Sequence, residues 1–253
     1  YAMKHNFDAV ALLNNDAIAN KDWLRNLTKA MVTQHADIVT SLLLSGDGKK
    51  IDTSGDIYSY WGIHFPRQRG VASAKALNSG FIFGASGGAS LYKTKLFRGI
   101  GLFDEKFFAY YEDVDISFRA QLTNHKIYYE KSAIAYHDHG TTSSKISGFT
   151  VYQTFKNLPM LFWKNVPASL LFPIGFRLFI IYCLFFASAF SRGDFRYALK
   201  GFLASVKLFP YAIHQRQKIQ KSKKISTDAL KSILYHQIPP DQTKLRRLFY
   251  GEK

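Results

Sequence analysis

Asp8-Ala-Val-Ala-Leu-Leu-Asn-Asn-Asp16 is the stretch on which the fold turns. A short apolar run closed by turn-forming residues reads as a buried, parallel strand ending at Asn14. Asn20 is placed to cap a helix that carries Trp23, Leu24, Leu27 and Met31 at helical spacing. Residues 37–44 form the next apolar strand. Residues 45–80, rich in Gly, Ser, Asp and aromatics, read as loops with short strands. Residues 81–92 are strand-like but broken by glycines, which in a strand often mark close backbone approach. Helices are predicted from about Lys93 and from near Glu112 through Leu122, and residues 126–130 and 133–136 form two closing strands. Strands separated by helices give an α/β sheet.

The chain has 253 residues, enough for one large domain or two modest ones. Apolar residues make up 47% and aromatics 16%, which excludes whole-chain disorder and fibrous repeats. The single cysteine, Cys183, excludes an intrachain disulfide framework and a multi-cysteine metal site, and suggests a reducing compartment. The net charge of +16 is uneven: residues 1–146 carry 17 basic and 14 acidic side chains, residues 147–253 carry 17 and 4. That division predicts two regions with different tasks, 1–146 and 147–253. The start at Tyr1, with an apolar strand almost at once, reads as a fragment or a trimmed chain.

Three clusters carry chemistry. Asn14-Asn15-Asp16 falls at the end of a predicted strand, where open α/β sheets bind ligands, and Asp16 beside an amide can hold a hard cation on a diphosphate; an Asx turn is the plainer reading. Glu112, Asp113 and Asp115 lie within four positions, with Arg119 four after Asp115. They read either as a well-capped helix with an i,i+4 ion pair or as a carboxylate poised as general base. His137 and His139 bracket Asp138 after a strand, as metal ligands, diphosphate contacts or structural residues.

In this order the segments resemble glycosyltransferase family 2, the inverting enzymes of GT-A fold, over roughly residues 1–146. The resemblance rests on residues 8–16, on Gly84-Ala-Ser-Gly-Gly-Ala-Ser-Leu-Tyr92, on Gly101-Leu-Phe-Asp-Glu-Lys-Phe-Phe108, and on Glu112-Asp-Val-Asp-Ile-Ser-Phe-Arg119. It looks closest to bacterial rhamnosyltransferase-like enzymes of cell-surface polysaccharide synthesis. The resemblance implies Asp113 as the base and Glu112 as its neighbour orienting the site. It implies Asp16 as the ligand of a divalent cation, Mg2+ or Mn2+, with His137 completing that site and His139 the competing choice. Asn14, Asn15, Ala85, Ser86, Asp115 and Arg119 would contact donor or acceptor; Asn14 stands where many members have an Asp, which weakens metal contact there. The implied reaction is a single in-line transfer from a nucleotide-diphosphate sugar to a saccharide acceptor, lipid-linked by analogy. The family's nucleotide-binding half would precede residue 8, so the chain reads as the C-terminal part of such an enzyme, inactive by itself.

Residues 168–190 are strongly apolar and long enough to span a membrane, but Pro173 and Arg177 interrupt them. Residues 195–209 mix Lys and aromatics at helical spacing, and 214–224 are polar and basic. Interfacial or re-entrant helices on the cytoplasmic face of a bacterial inner membrane are the preferred reading, bound to an anionic surface; a true span and a soluble helical pair at an interface are the others. The charge also raises a nucleic-acid binder, although the bases flank an apolar stretch and not stacking aromatics, so no nucleic-acid partner is expected. A non-catalytic membrane-anchored protein is the third reading.

Overall fold

The computed structural model describes residues 1–137 and 146–239. Its architecture is a mixed α/β sheet followed by a helical region, as the sequence leads one to expect. The chain runs β1 (Ala9–Leu13), β2 (Ala17–Ala19), α1 (Trp23–Thr33), β3 (Ile38–Ser45), β4 (Ile51–Thr53), β5 (Asp56–Tyr58), β6 (His64–Pro66), β7 (Gly80–Phe81), β8 (Ala89–Lys93), α2 (Thr94–Ile100), α3 (Glu112–Leu122) and β9 (Ile127–His137). The main sheet has the order β1-β8-β3-β9-β2, with β4 also on β3 and β7 also on β9. Among the described strands of this sheet β3 and β9 pair in parallel; β1 and β3 flank β8 antiparallel. A separate hairpin joins β5 and β6.

Three sequence expectations are corrected. Residues 8–13 do not form a buried parallel strand: β1 runs antiparallel to β8 at one end of the strand order and is partly exposed. A five-residue apolar run carries no information on strand direction, and the buried parallel strand is β3. The two closing strands are one, β9, whose register against β3 jumps from Ser41–Glu130 to Leu42–Ile134. Lys131–Ala133 bulge out, which is why the polar interruption looked like a strand end. Asn20 does not cap α1; its side chain accepts from the Asp22 N–H at 3.3 Å, in the turn before the helix.

Helices cover both faces of the sheet. On one, Trp23, Leu27 and Met31 of α1 bury against Val39, Leu43, Leu91 and Ala135, each large side chain contributing about 1.5–3 kcal/mol. On the other, Leu96 and Phe97 of α2 and Ile116 and Ala120 of α3 pack on Ile38, Tyr92 and Ile127.

The helical region comprises α4 (Phe149–Asn165), α5 (Ala168–Ser191), α6 (Phe195–Lys221) and α7 (Thr227–Ile233). It is packed into the α/β part. Phe118 and Leu122 of α3, Leu158 and Leu161 of α4, Ile174 and Ile181 of α5 and Leu230 of α7 share one apolar cluster. α4 and α6 cross closely at Gly201, where a Cβ would meet the Tyr152 carbonyl at 2.5 Å. Gly62, with φ +76°, lets the α/β part approach α5: a Cβ there would come within 2.9 Å of Leu178 Cβ.

Candidate active site

A cleft of about 620 Å³ opens beside the start of α3 and the end of β9. Three short segments build it. The turn after β1 brings Asn14, whose N–H donates to the Gly88 carbonyl at 2.9 Å. The glycine-rich segment before β8 brings Ser86, Gly87 and Gly88. The first turn of α3 brings Glu112 and Asp113.

Asp113 is held by backbone donors. The Gly87 N–H donates to Oδ2 at 2.9 Å and the Val114 N–H to Oδ1 at 2.8 Å. A Cβ at Gly87 would lie 3.3 Å from the Asp113 Cβ, so a small residue is needed for this approach. Burial nevertheless raises the Asp113 pKa above the ordinary carboxylate value. Glu112 is lifted to about 7, by burial first and by the Asp113 charge second. Asp56, also facing the cleft, is raised well above its usual value by burial and then by Asp113. Three carboxyls around one cleft cannot all ionise cheaply, so they titrate as a coupled set. Such a set keeps at least one group in the range where it can take a proton near neutral pH.

The loop that presents this turn is strained. Phe108, Tyr110 and Tyr111 have φ of +63°, +63° and +75°, a left-handed conformation costly for aromatic residues. Asn157 of α4 holds it by donating from Nδ2 to the carbonyls of Phe107, Ala109 and Tyr110 at 3.0, 2.8 and 2.8 Å. Lys156 Nζ adds a bond to the Phe107 carbonyl at 3.1 Å. The helical region thereby sets the position of Glu112 and Asp113.

Across the cleft runs a charged chain. His137 Nε2 lies 3.0 Å from Asp16 Oδ1, and Nδ1 lies 2.9 Å from Asp52 Oδ2. Arg69 pairs with Asp52 Oδ1 at 3.0 Å. The Asp52 hydrogen bond is the main cause that raises the His137 pKa, with Asp16 adding to it, so the ring stays protonated at higher pH than a free histidine. His64, by contrast, is driven down to about 4 by burial, with Arg69 second, and is a neutral ring edge-on to Tyr111 at 4.6 Å. Among the described residues no three His, Cys, Asp or Glu side chains converge as a metal-ligand set.

No family model matches the chain. The chain is similar to the low-salt glycan biosynthesis hexosyltransferase of Haloferax volcanii, at 26% identity over 157 residues. The match covers 60% of this chain, and the chain spans about half the length of that relative.

The structure brings Asn14, Ser86, Glu112, Asp113 and His137 onto one cleft, with Asp16 joined to it through His137. Others lie elsewhere. Asn15 is exposed in its turn. Ala85 is fully buried in the apolar layer under the sheet, behind Ser86. Asp115 and Arg119 form a buried i,i+4 ion pair at 2.9 Å, facing away from the cleft toward Lys164 and Asn165. That is the structural alternative which their spacing allowed. His139 lies outside the described residues. Sequence reading passed over Asp52, Asp56, His64 and Arg69, because they sit in the segment read as loop, where no periodicity or spacing marks them.

Proposed function

We propose that this chain is the acceptor-side part of an inverting glycosyltransferase that moves a sugar from a nucleotide-diphosphate donor to a saccharide acceptor in glycan assembly. The observation that carries this reading is the Glu112–Asp113 turn, partly buried, backbone-held and raised in pKa, sharing one cleft with Asn14 and with His137, which Asp16 contacts. The hexosyltransferase likeness supports the same chemistry. Asp113 takes the proton from the acceptor hydroxyl as that oxygen attacks the anomeric carbon opposite the diphosphate. Burial keeps Asp113 basic, and its charge in turn raises Glu112 and Asp56. The strained loop and Asn157 fix the angle of attack.

A diphosphate brought close to the Asp113 and Asp16 carboxylates favours a divalent cation between them. Such ions ordinarily take one or two protein carboxylates and draw their other ligands from phosphate and water; Asp16 is the carboxylate for that role here, beside His137. The cation would offset charge building on the leaving diphosphate.

The test uses the natural full-length protein with a panel of nucleotide sugars, following release of nucleoside diphosphate. One donor is expected to be turned over, with kcat/KM changing as pH climbs through about 7, where Glu112 titrates beside the ionised base. Glu112→Gln removes that titrating neighbour and is expected to take the change near pH 7 away. Absence of turnover with every donor and acceptor pair, or a change near pH 7 unmoved by Glu112→Gln, contradicts the assignment.

A membrane-surface location belongs to the same proposal. One helix among the described residues, α5, is long and apolar enough to cross a bilayer. Its Leu170, Ile174, Leu178 and Ile181 stripe is buried on the α/β part. Arg177 at its middle sits over the Tyr60 ring at 5.1 Å. A helix seated in this way favours an interfacial arrangement over a span. Its other side exposes Phe172 (84%), Phe176 (60%) and Phe179 (66%). α6 exposes Phe195, Leu199, Phe202, Leu203, Val206 and Phe209, at i, i+4, i+7, i+8, i+11 and i+14, one continuous stripe. Arg196, Lys200 and Lys207 flank it, and neither helix carries an acidic side chain. That pattern suits an anionic leaflet. The protein is expected to float with vesicles containing 30% phosphatidylglycerol, and to be released when Lys200 and Lys207 are both changed to Glu. Sedimentation free of vesicles at low salt would remove the membrane part of the proposal.

A further inference from the structure

The stripe on α6 and the exposed side of α5 do not form a flat surface. Between α4, α5 and α6 lies a groove of about 420 Å³ whose walls are almost wholly apolar, among them Met160, Trp163, Phe179, Phe202, Val206 and Phe209. Its shape follows from local sequence. Pro159 in α4 and Pro210 in α6 both border it, and each removes a helix hydrogen bond and disturbs the regular helix where it sits. Gly175 of α5 also borders it; a Cβ there would lie 3.0 Å from Phe162 Cζ. Trp163 stands edge-on to Phe209 at 5.3 Å on the wall.

We propose that this groove holds one hydrocarbon chain of a leaflet phospholipid, drawn out of the bilayer between the three helices. The inference rests on the membrane-surface reading above and adds a discrete site to it. Four of the side chains that line the groove, Phe179, Phe202, Val206 and Phe209, also belong to the exposed apolar face. The groove therefore opens where the leaflet would lie. Lys200 and Lys207 lie along the edge of the α6 stripe that supplies one wall of the groove, with no acidic residue on α5 or α6 to oppose a headgroup phosphate. An apolar cavity that opens beside cations matches an anionic lipid: tail inside, phosphate at the rim. A chain held there would fix depth and rotation of the enzyme on the surface, which a flat aromatic face alone does not do.

Trp163 is the built-in reporter. The probe is 11-bromoundecyl phosphate, used below its aggregation concentration and without vesicles, so that bromine quenches only where the chain binds. The full-length protein is expected to show saturable loss of tryptophan fluorescence, and Trp163→Phe to lose that saturable part. Filling the groove by Ser205→Phe should weaken binding at least tenfold. Val206→Phe, at an exposed position on the mouth and therefore tolerated by the fold, should weaken it severalfold. In vesicles of phosphatidylcholine with 30% chain-brominated phosphatidylglycerol, Trp163 should be quenched in the parent and much less in Ser205→Phe, while both proteins float. Quenching that is unsaturable, or equal in parent and filled variants, overturns the groove. If the protein floats but Trp163 is unquenched, the groove fails and the membrane reading stands. If the soluble probe binds saturably but vesicles do not, the groove stands as an alkyl-chain site and its assignment to a leaflet lipid fails.

Discussion

Replacing Asp113 by Asn is expected to lower the rate of sugar transfer by about 10³-fold while the protein stays folded. The size follows from the role. A positioned base in a desolvated cleft contributes about 10²–10⁴-fold, and water cannot take over where the side chain is enclosed by Gly87, Glu112 and Tyr111. The fold should hold because the apolar clusters around α3 rest on Val114, Ile116, Phe118 and Ala120, none of which the substitution changes. One conflict arises: both Asp113 oxygens accept from backbone N–H groups, and an Asn amide can accept at only one of them. A loss of about 1–2 kcal/mol is expected from that mismatch, partly offset because one of three mutually repelling carboxyls is gone. Substrate affinity should change little, since the missing atom acts on a proton in flight; the loss belongs in kcat. Relief of repulsion also lowers the pKa of Glu112 and Asp56, so any residual activity should lose the pH limb near 7. Wild-type turnover in a folded Asp113→Asn protein ends the assignment of the base.

The parts of the fold visible in the sequence are those governed by local rules. α3 starts at Glu112 because acids favour a helix N-terminus and the apolar positions that follow are helical. β3 is mostly apolar and buried from Ile38 to Leu44 because both its faces are covered. The direction of β1 and the unity of β9 were not visible, since both are settled by pairing with strands far away in sequence. The site divides along the same line. Glu112 and Asp113 stood out as a dense acidic cluster, and His137 as one of two histidines after a strand. Asp52, Asp56, His64 and Arg69 were silent: each is a single polar residue in a segment of short strands and turns, and only the β5–β6 hairpin and β4 carry them to the cleft. The same density that marked Asp113 also drew in Asp115 and Arg119, because spacing alone does not say which side of a helix faces a ligand.

The largest stability effect is expected on the side of α3 turned away from the cleft. Lys164 of α4 is almost fully buried and lies 2.9 Å from Asp115 Oδ1, and it also pairs with Asp104. Asp115, with no solvent exposure, is held further by Arg119 at 2.9 Å and by the Asn165 amide at 2.8 Å. Burial alone would raise the Asp115 pKa, but Arg119, Lys164 and Asn165 outweigh it, and the carboxyl titrates below its usual value. A group of depressed pKa contributes stability that is present above its unfolded value near 4 and lost as pH falls through its folded one. Lys164→Met removes one of the two cations facing Asp115 and the cation paired with Asp104. Breaking a buried pair in this way costs about 3–5 kcal/mol, because the remaining charge cannot be hydrated. For a chain of this size that corresponds to a fall in Tm of about 10 °C. The acid limb of stability should move to higher pH, since the Asp115 pKa then rises toward and past the ordinary range. Lys164→Met combined with Asp115→Asn should recover part of the loss, because the uncompensated charge disappears. The coupling reaches the site: Asp115 lies two residues from Asp113 in the same helical turn, so a shift of α4 against α3 displaces the base. Transfer should therefore fall in Lys164→Met even at temperatures where it is fully folded, and a thermal melt within 2 °C of the parent would refute the account of this network.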